Sequence, residues 1–210
     1  MPTKFLKMNT RAVFIVVFTI CIGPVWARDE RSIKDLRDAL VALAPDVDPG
    51  EAELLSVTAH TMSRSLARQY RVVLNPSFQN FLVNIGARER GYCAHYTRDI
   101  GSRLKEFKLK TLVLHWGAFD LRGPGESNCL VVTARNQPFQ DGIVIDAWRM
   151  AGRLFWCPIK KDHEYEVERG YVPAPLGHHT YSGITAWKED ARETAWLQDY
   201  RPSKTEPKRN

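Results

Sequence analysis

Residues 91–119 read GYCAHYTRDIGSRLKEFKLKTLVLHWGAF, and the fold class turns on a change of rhythm inside them. Up to Phe107 the apolar positions recur every three or four residues, at Cys93, Tyr96, Ile100, Leu104 and Phe107. That spacing puts them on one face of a helix. After Lys110 the period falls to two, beginning with TLVLHW over 111–116. β-branched and aromatic side chains at alternate positions suit a half-buried strand.

Upstream of this switch the sequence is helical. ERSIKDLRDALVAL (30–43) sets Ile33, Leu36, Leu40, Val41 and Leu43 on one face, with charges opposite. DVDPG (46–50) ends that helix, and Pro49 suits the first turn of a second one through Ala52, Leu55, His60, Leu66 and Tyr70. A loop at Asn75-Pro76 leads into a short apolar stretch, FQNFLVNIG, which ends at Gly86. Downstream, NCLVVTA (128–134), GIVIDAW (142–148) and GRLFWCPI (152–159) read as three further strands. RGPGES, RNQPFQDG and RMA separate the strands as turns, so the sheet is mainly antiparallel. YVPAPLGHH (171–179) is irregular, and ITAWKEDARETAWLQDY (184–200) predicts one last helix. Helices followed by strands, with no dividing linker, give a single α+β domain over 28–200.

The charge of +6 sits at the two ends. Lys4, Lys7 and Arg11 stand unopposed in the first 27 residues, and the last ten hold Arg201, Lys204, Lys208 and Arg209 against Glu206. Residues 28–200 are therefore neutral, a poor surface for tracking phosphates, and no nucleic-acid partner is expected. The tail 201–210, polar with two prolines, reads as a flexible basic appendage.

The first segment reads as an address. A basic stretch precedes AVFIVVFTICI (12–22), Gly23-Pro24 breaks the run, and Val25-Trp26-Ala27 offers cleavage after Ala27. These are the three parts of a secretory signal peptide. The apolar run is far short of the roughly 20 residues that span a bilayer. Residues 1–27 are thus expected to be a signal peptide, leaving an exported, periplasmic or secreted chain with no integral membrane span. Cys93, Cys129 and Cys157 then remain, too few for a disulfide scaffold. Cys129 and Cys157 both fall in strands and form a candidate disulfide if those strands are neighbours; Cys93 would then keep its thiol.

Cys93 begins a helix, where unsatisfied backbone N–H groups favour a thiolate. A cysteine nucleophile also needs an imidazole to exchange its proton and a carboxylate or amide to orient that ring. Asp146 ends the apolar run IVIDAW, an awkward place for a carboxylate unless it serves a site or takes an arginine such as Arg149 or Arg153.

The order of these parts resembles the transglutaminase-like branch of the papain-like cysteine peptidase superfamily. GYCAHYTRDI resembles that group's cysteine helix, ESNCLVVTA its histidine strand and GIVIDAW its aspartate strand, over roughly residues 90–150. The resemblance implies a transglutaminase-like core and acyl transfer through a thioester on Cys93. Amide or peptide bonds would then be hydrolysed or transferred, with a peptide or protein as substrate and no cofactor. It places Asp146 as the orienting carboxylate and Ser127, Asn128 and Trp148 beside the substrate. The family's strand histidine is absent: Glu126-Ser127-Asn128 stands in its place. His115, on the preceding strand, is the substitute base. His95, two helix positions after Cys93, points about 200° away around the helix. If no imidazole reaches the thiol, the same fold is a catalytically inactive binding or structural domain.

Metal sites are not expected. Cys93-Ala-His95, Cys157 with His163, and His178-His179 lack the paired spacings of structural zinc.

Overall fold

A computed structural model of the chain describes residues 29–120, 125–162 and 187–199. Four helices come first: α1 over 29–41, α2 Pro49–Gln69, α3 Pro76–Asn84 and α4 Cys93–Lys105. The strands β1 Leu112–Phe119, β2 Ser127–Ala134, β3 Ile143–Asp146, β4 Phe155–Pro158 and β5 Lys188–Glu189 follow, and α5 Ala191–Gln198 comes last. The five strands form one antiparallel sheet in the order β4-β3-β2-β1-β5. The chain is α+β. The signal-like residues 1–27, the tail 201–210, and His163, His178 and His179 lie outside the described residues.

Local chemistry sets the helix starts. The Asp48 carboxylate accepts from the N–H groups of Gly50 and Glu51, with Pro49 in the first turn of α2. Asn75 caps α3 in the same way through the N–H of Phe78, which makes the apolar stretch after Pro76 a helix. The Glu51 carboxylate accepts from the N–H groups of Lys110 and Thr111, at 2.6 and 2.9 Å, and ties the start of α2 to the entry of β1.

Alternation along the strands divides the core in two. Leu112, Leu114, Trp116, Leu130, Val132, Ile143 and Ile145 face the helices and join Leu36, Leu40, Leu55, Leu66, Tyr96, Ile100 and Leu104 in one large cluster. Burying each such side chain contributes roughly 1.5–3 kcal/mol. Phe119, Cys129, Val131, Phe139, Val144, Ile159 and Trp187 form a smaller cluster on the other face. α4 lies on β2, α2 against α4, and α5 against β1.

Three expectations are corrected. The helix expected over 184–200 begins only at Ala191, because Asp190 accepts from the N–H groups of Arg192 and Glu193 as its cap, and Lys188–Glu189 adds to the edge of β1 instead. The strand expected over 142–148 ends at Asp146, whose carboxylate takes the N–H groups of Trp148 and Arg149 and turns the chain. Cys129 and Cys157 are not bridged: β3 stands between their strands, and no disulfide forms among the described cysteines. Strands two places apart lie about 10 Å from each other, beyond the reach of an S–S bond.

The turn after β3 closes tightly on α2. Gly152 has φ +90°, and a Cβ there would lie 2.1 Å from the Cβ of Ala67. The Ser63 hydroxyl donates to the Gly152 carbonyl at 2.8 Å. Gly152→Ala combines a strained backbone with a steric clash, so urea unfolding should show a loss of more than about 2 kcal/mol. A loss below about 1 kcal/mol would mean that the turn shifts freely off α2.

Candidate functional site

Gly91 and Gln79 place Cys93. Gly91 has φ +137°, and a side chain there would meet the Gln79 amide at 2.5 Å. Gln79, fully buried on α3, donates to the Arg90 carbonyl at 3.0 Å and accepts from the N–H of Val73 at 3.3 Å. The chain is thereby clamped just before α4, and Cys93 occupies the helix's first position.

Next comes the start of β2. Asn128 Nδ2 donates to Cys93 Sγ at 3.8 Å and to Glu126 Oε1 at 3.1 Å, while its Oδ1 accepts from Trp116 Nε1 at 2.7 Å. The Cys93 S–H points to the Glu126 carbonyl at 4.0 Å. Asn128 is buried and bonded on both sides of its amide, so it works as a bridge between α4, β1 and β2 rather than as an open substrate contact. Ser127 stands one residue earlier, half-buried, in register with Phe119.

Burial decides the state of the thiol. It pushes the Cys93 pKa up to about 11; N–H groups of Asn128 and Ala94 pull the other way, and the Asp146 carboxylate adds to the rise. The helix start alone favours a thiolate, but the loss of water outweighs it.

The structure does not bring His115 to this thiol. His115 pairs with Val131 across the strands and points to the smaller cluster, where its ring meets Phe139 edge-on. Its Nδ1 lies 2.8 Å from Glu189 Oε1 and its Nε2 lies 2.9 Å from the Thr133 hydroxyl. Cys93 sits at the end of α4, on the opposite face. A one-residue change of register would reverse the side of the sheet on which His115 lies, and the paired strands fix it.

His95 is also engaged. Its Nδ1 accepts from the N–H groups of Gly91 and Tyr92, at 3.0 and 3.3 Å, as part of the cap of α4. Burial, with help from Arg90, lowers its pKa and keeps the ring neutral, as an accepting Nδ1 requires. His60 is buried on α2, bonded to the Ser56 carbonyl and the Ser32 hydroxyl.

Asp146 serves a different partner. Its carboxylate accepts from Trp148 N–H at 2.8 Å, from Arg149 N–H at 3.1 Å and from Arg149 Nε at 3.1 Å. The guanidinium then makes a two-pronged pair with Asp162 at 2.8 and 2.9 Å, and lies 4.0 Å over the Phe155 ring. Trp187 Nε1 donates to Asp162 at 3.0 Å. Burial raises the Asp146 pKa, against the pull of Arg149 and the two N–H donors. Trp148 points its indole N–H at Asn80 on α3, 3.1 Å away, and packs against the main core.

Arg149 was legible as a possible partner because it follows Asp146 by three residues. Asp162 and Gln79 gave no such sign, since their partners are distant in sequence or are backbone groups. Cys93, Tyr96 and Asp146 nevertheless share one neighbourhood. The Tyr96 hydroxyl, buried one helical turn after Cys93, has no hydrogen-bond partner among the described residues, and both burial and Asp146 raise its pKa.

Site-resolved iodoacetamide labelling should find Cys93 more than about tenfold slower at neutral pH than a solvated thiol of pKa near 8.5. Its rate should keep rising towards pH 11. The folded state favours the thiol over the thiolate, so the stability from burying it is complete below the unfolded pKa and lost as the pH climbs through about 11. Fast labelling at pH 7 would contradict this environment. Arg149→Met should cost about 3–5 kcal/mol on unfolding, because two buried carboxylates lose their counter-charge. Adding Asp146→Asn and Asp162→Asn should recover part of that loss; a single variant of undiminished stability would refute the role given to the pair. No family model, curated protein or solved structure matches the chain.

Proposed function

We propose that this chain is an exported, catalytically silent binding domain on a transglutaminase-like frame, with a peptide or protein as its partner. The frame is supported by order and proximity: a cysteine opens a helix, that helix lies on the next strand but one, and an aspartate ends the strand beside it. Export is supported by the three-part pattern of residues 1–27. Among the described residues no helix is long and apolar enough to cross a membrane.

The observation that carries the silent reading is the company Cys93 keeps. Its polar neighbours are the Asn128 amide and the Glu126 carbonyl. An amide cannot take up a proton near neutral pH, and among the described residues no imidazole is hydrogen-bonded to the thiol to generate a thiolate or protonate a leaving group. The carboxylate that would orient an imidazole is already held by Arg149 and two N–H groups. A buried thiol of pKa about 11 in such a setting is a packed side chain.

Turnover separates this reading from the enzyme. Peptide esters, peptide amides and glutamine peptides with an added amine should react at the uncatalysed rate with the full chain and with its Cys93→Ala variant alike. Mass spectrometry should find no acyl adduct on Cys93. Cys93-dependent turnover or a trapped thioester would restore the acyltransferase, including one whose imidazole comes from His163, His178 or His179.

A further inference from the structure

α3 is amphipathic in the reverse sense. Its polar side chains hold it to the body: Gln79 is its buried residue, Asn80 accepts from Trp148, and Asn84 bonds the Tyr92 hydroxyl. Its two phenylalanines face out, with Leu74 before the helix and Ile85 after it, while Leu82 and Val83 are half-buried. Leu74 is 97% exposed, Phe78 and Phe81 are each 51% exposed, and Ile85 is 59% exposed. Their spacing of four, three and four residues draws a single stripe along the helix and its entry. The Phe78 and Phe81 rings stack at 5.9 Å, so the stripe forms one continuous surface.

Charge indicates what covers it. From Leu54 to Arg88 the sequence holds no acidic residue. Arg71 precedes the stripe and Arg88 follows it, and Arg68 is exposed on the preceding turn of α2. Among the described residues none of these three arginines has a carboxylate partner within salt-bridge distance; the first acid after the stripe is Glu89. Arg71 and Arg88 lie together in the structure, where Arg88 Nε donates to the Arg71 carbonyl at 3.4 Å. An apolar stripe with one cationic cluster beside it and no carboxylate along it matches an anionic bilayer, whose headgroups attract the arginines while its acyl boundary takes the phenylalanines.

We propose that α3 is a membrane-surface element, with Leu74, Phe78, Phe81 and Ile85 entering the interface of an anionic phospholipid bilayer and Arg71 and Arg88 meeting its headgroups. Membrane attachment through this face is independent of any reaction at Cys93.

Hydrogen exchange on the full chain tests it, because the readout is local to α3 even where residues 1–27 or 201–210 also bind lipid. Vesicles of phosphatidylcholine carrying about a third phosphatidylglycerol should slow exchange over residues 73–86, and pure phosphatidylcholine should do so far less. Phe78→Ser with Phe81→Ser should reduce that protection about tenfold or more at unchanged thermal stability, since both rings are half exposed in the fold. Arg71→Gln with Arg88→Gln should weaken it in a salt-dependent way, and serves as the test if the phenylalanine variant fails to fold. The proposal is overturned by absence of lipid-dependent protection, or by protection that survives both pairs of substitutions. It is equally overturned by protection present without lipid, whether it rises with protein concentration, as for a second copy, or not, as for cover by residues 163–186.

Discussion

Arg149 sits between two buried carboxylates, and much of this structure follows from that arrangement. Its guanidinium reaches Asp146 at the end of β3 and Asp162 after β4, while its face lies on Phe155. Placing three charges out of water costs several kcal/mol each before their mutual attraction is counted. Only a closely matched geometry offsets that cost. The match fixes the turn from β3 to β4, and with it the place where Gly152 meets α2. Through Asp162 it also fixes Trp187, which leads into β5 and α5.

The same arrangement shapes the neighbourhood of Cys93. The carboxylate at the end of β3 is held by Arg149 and two backbone N–H groups. The thiol has the first position of a helix, where a thiolate gains from the dipole, yet burial has the larger effect and leaves it protonated. Asn128 fills the space beneath it with an amide bonded to Trp116 and Glu126. Cys93, His115 and Asp146 each have a structural partner of their own.

Much of the fold was legible because it depends on local chemistry. Pro49 after Asp48 marked the start of α2, and the period change at Lys110 marked where helices give way to strands. The continuous amphipathic pattern of 184–200 masked the cap that Asp190 provides to α5. Cap and pattern compete over the same residues, and tertiary pairing of Lys188–Glu189 with β1 settles the outcome. FQNFLVNIG was visible as apolar, and an apolar stretch is normally read as core. Its orientation depends on Gln79, Asn80 and Asn84 finding partners 6 to 68 residues away along the chain, which no local rule supplies.

The sequence by itself determined the α+β class, the helix that Cys93 opens, the strand that Asp146 ends and the lack of a histidine at the start of β2. These rest on periodicity, capping and residue identity, all written within a few positions. Tertiary structure alone decided which groups meet. Strand register sent His115 to the face opposite Cys93, strand order kept Cys129 from Cys157, and burial gave Asp146 to Arg149. Register, order and burial are properties of the packed sheet, because each depends on residues brought together only when the whole core closes.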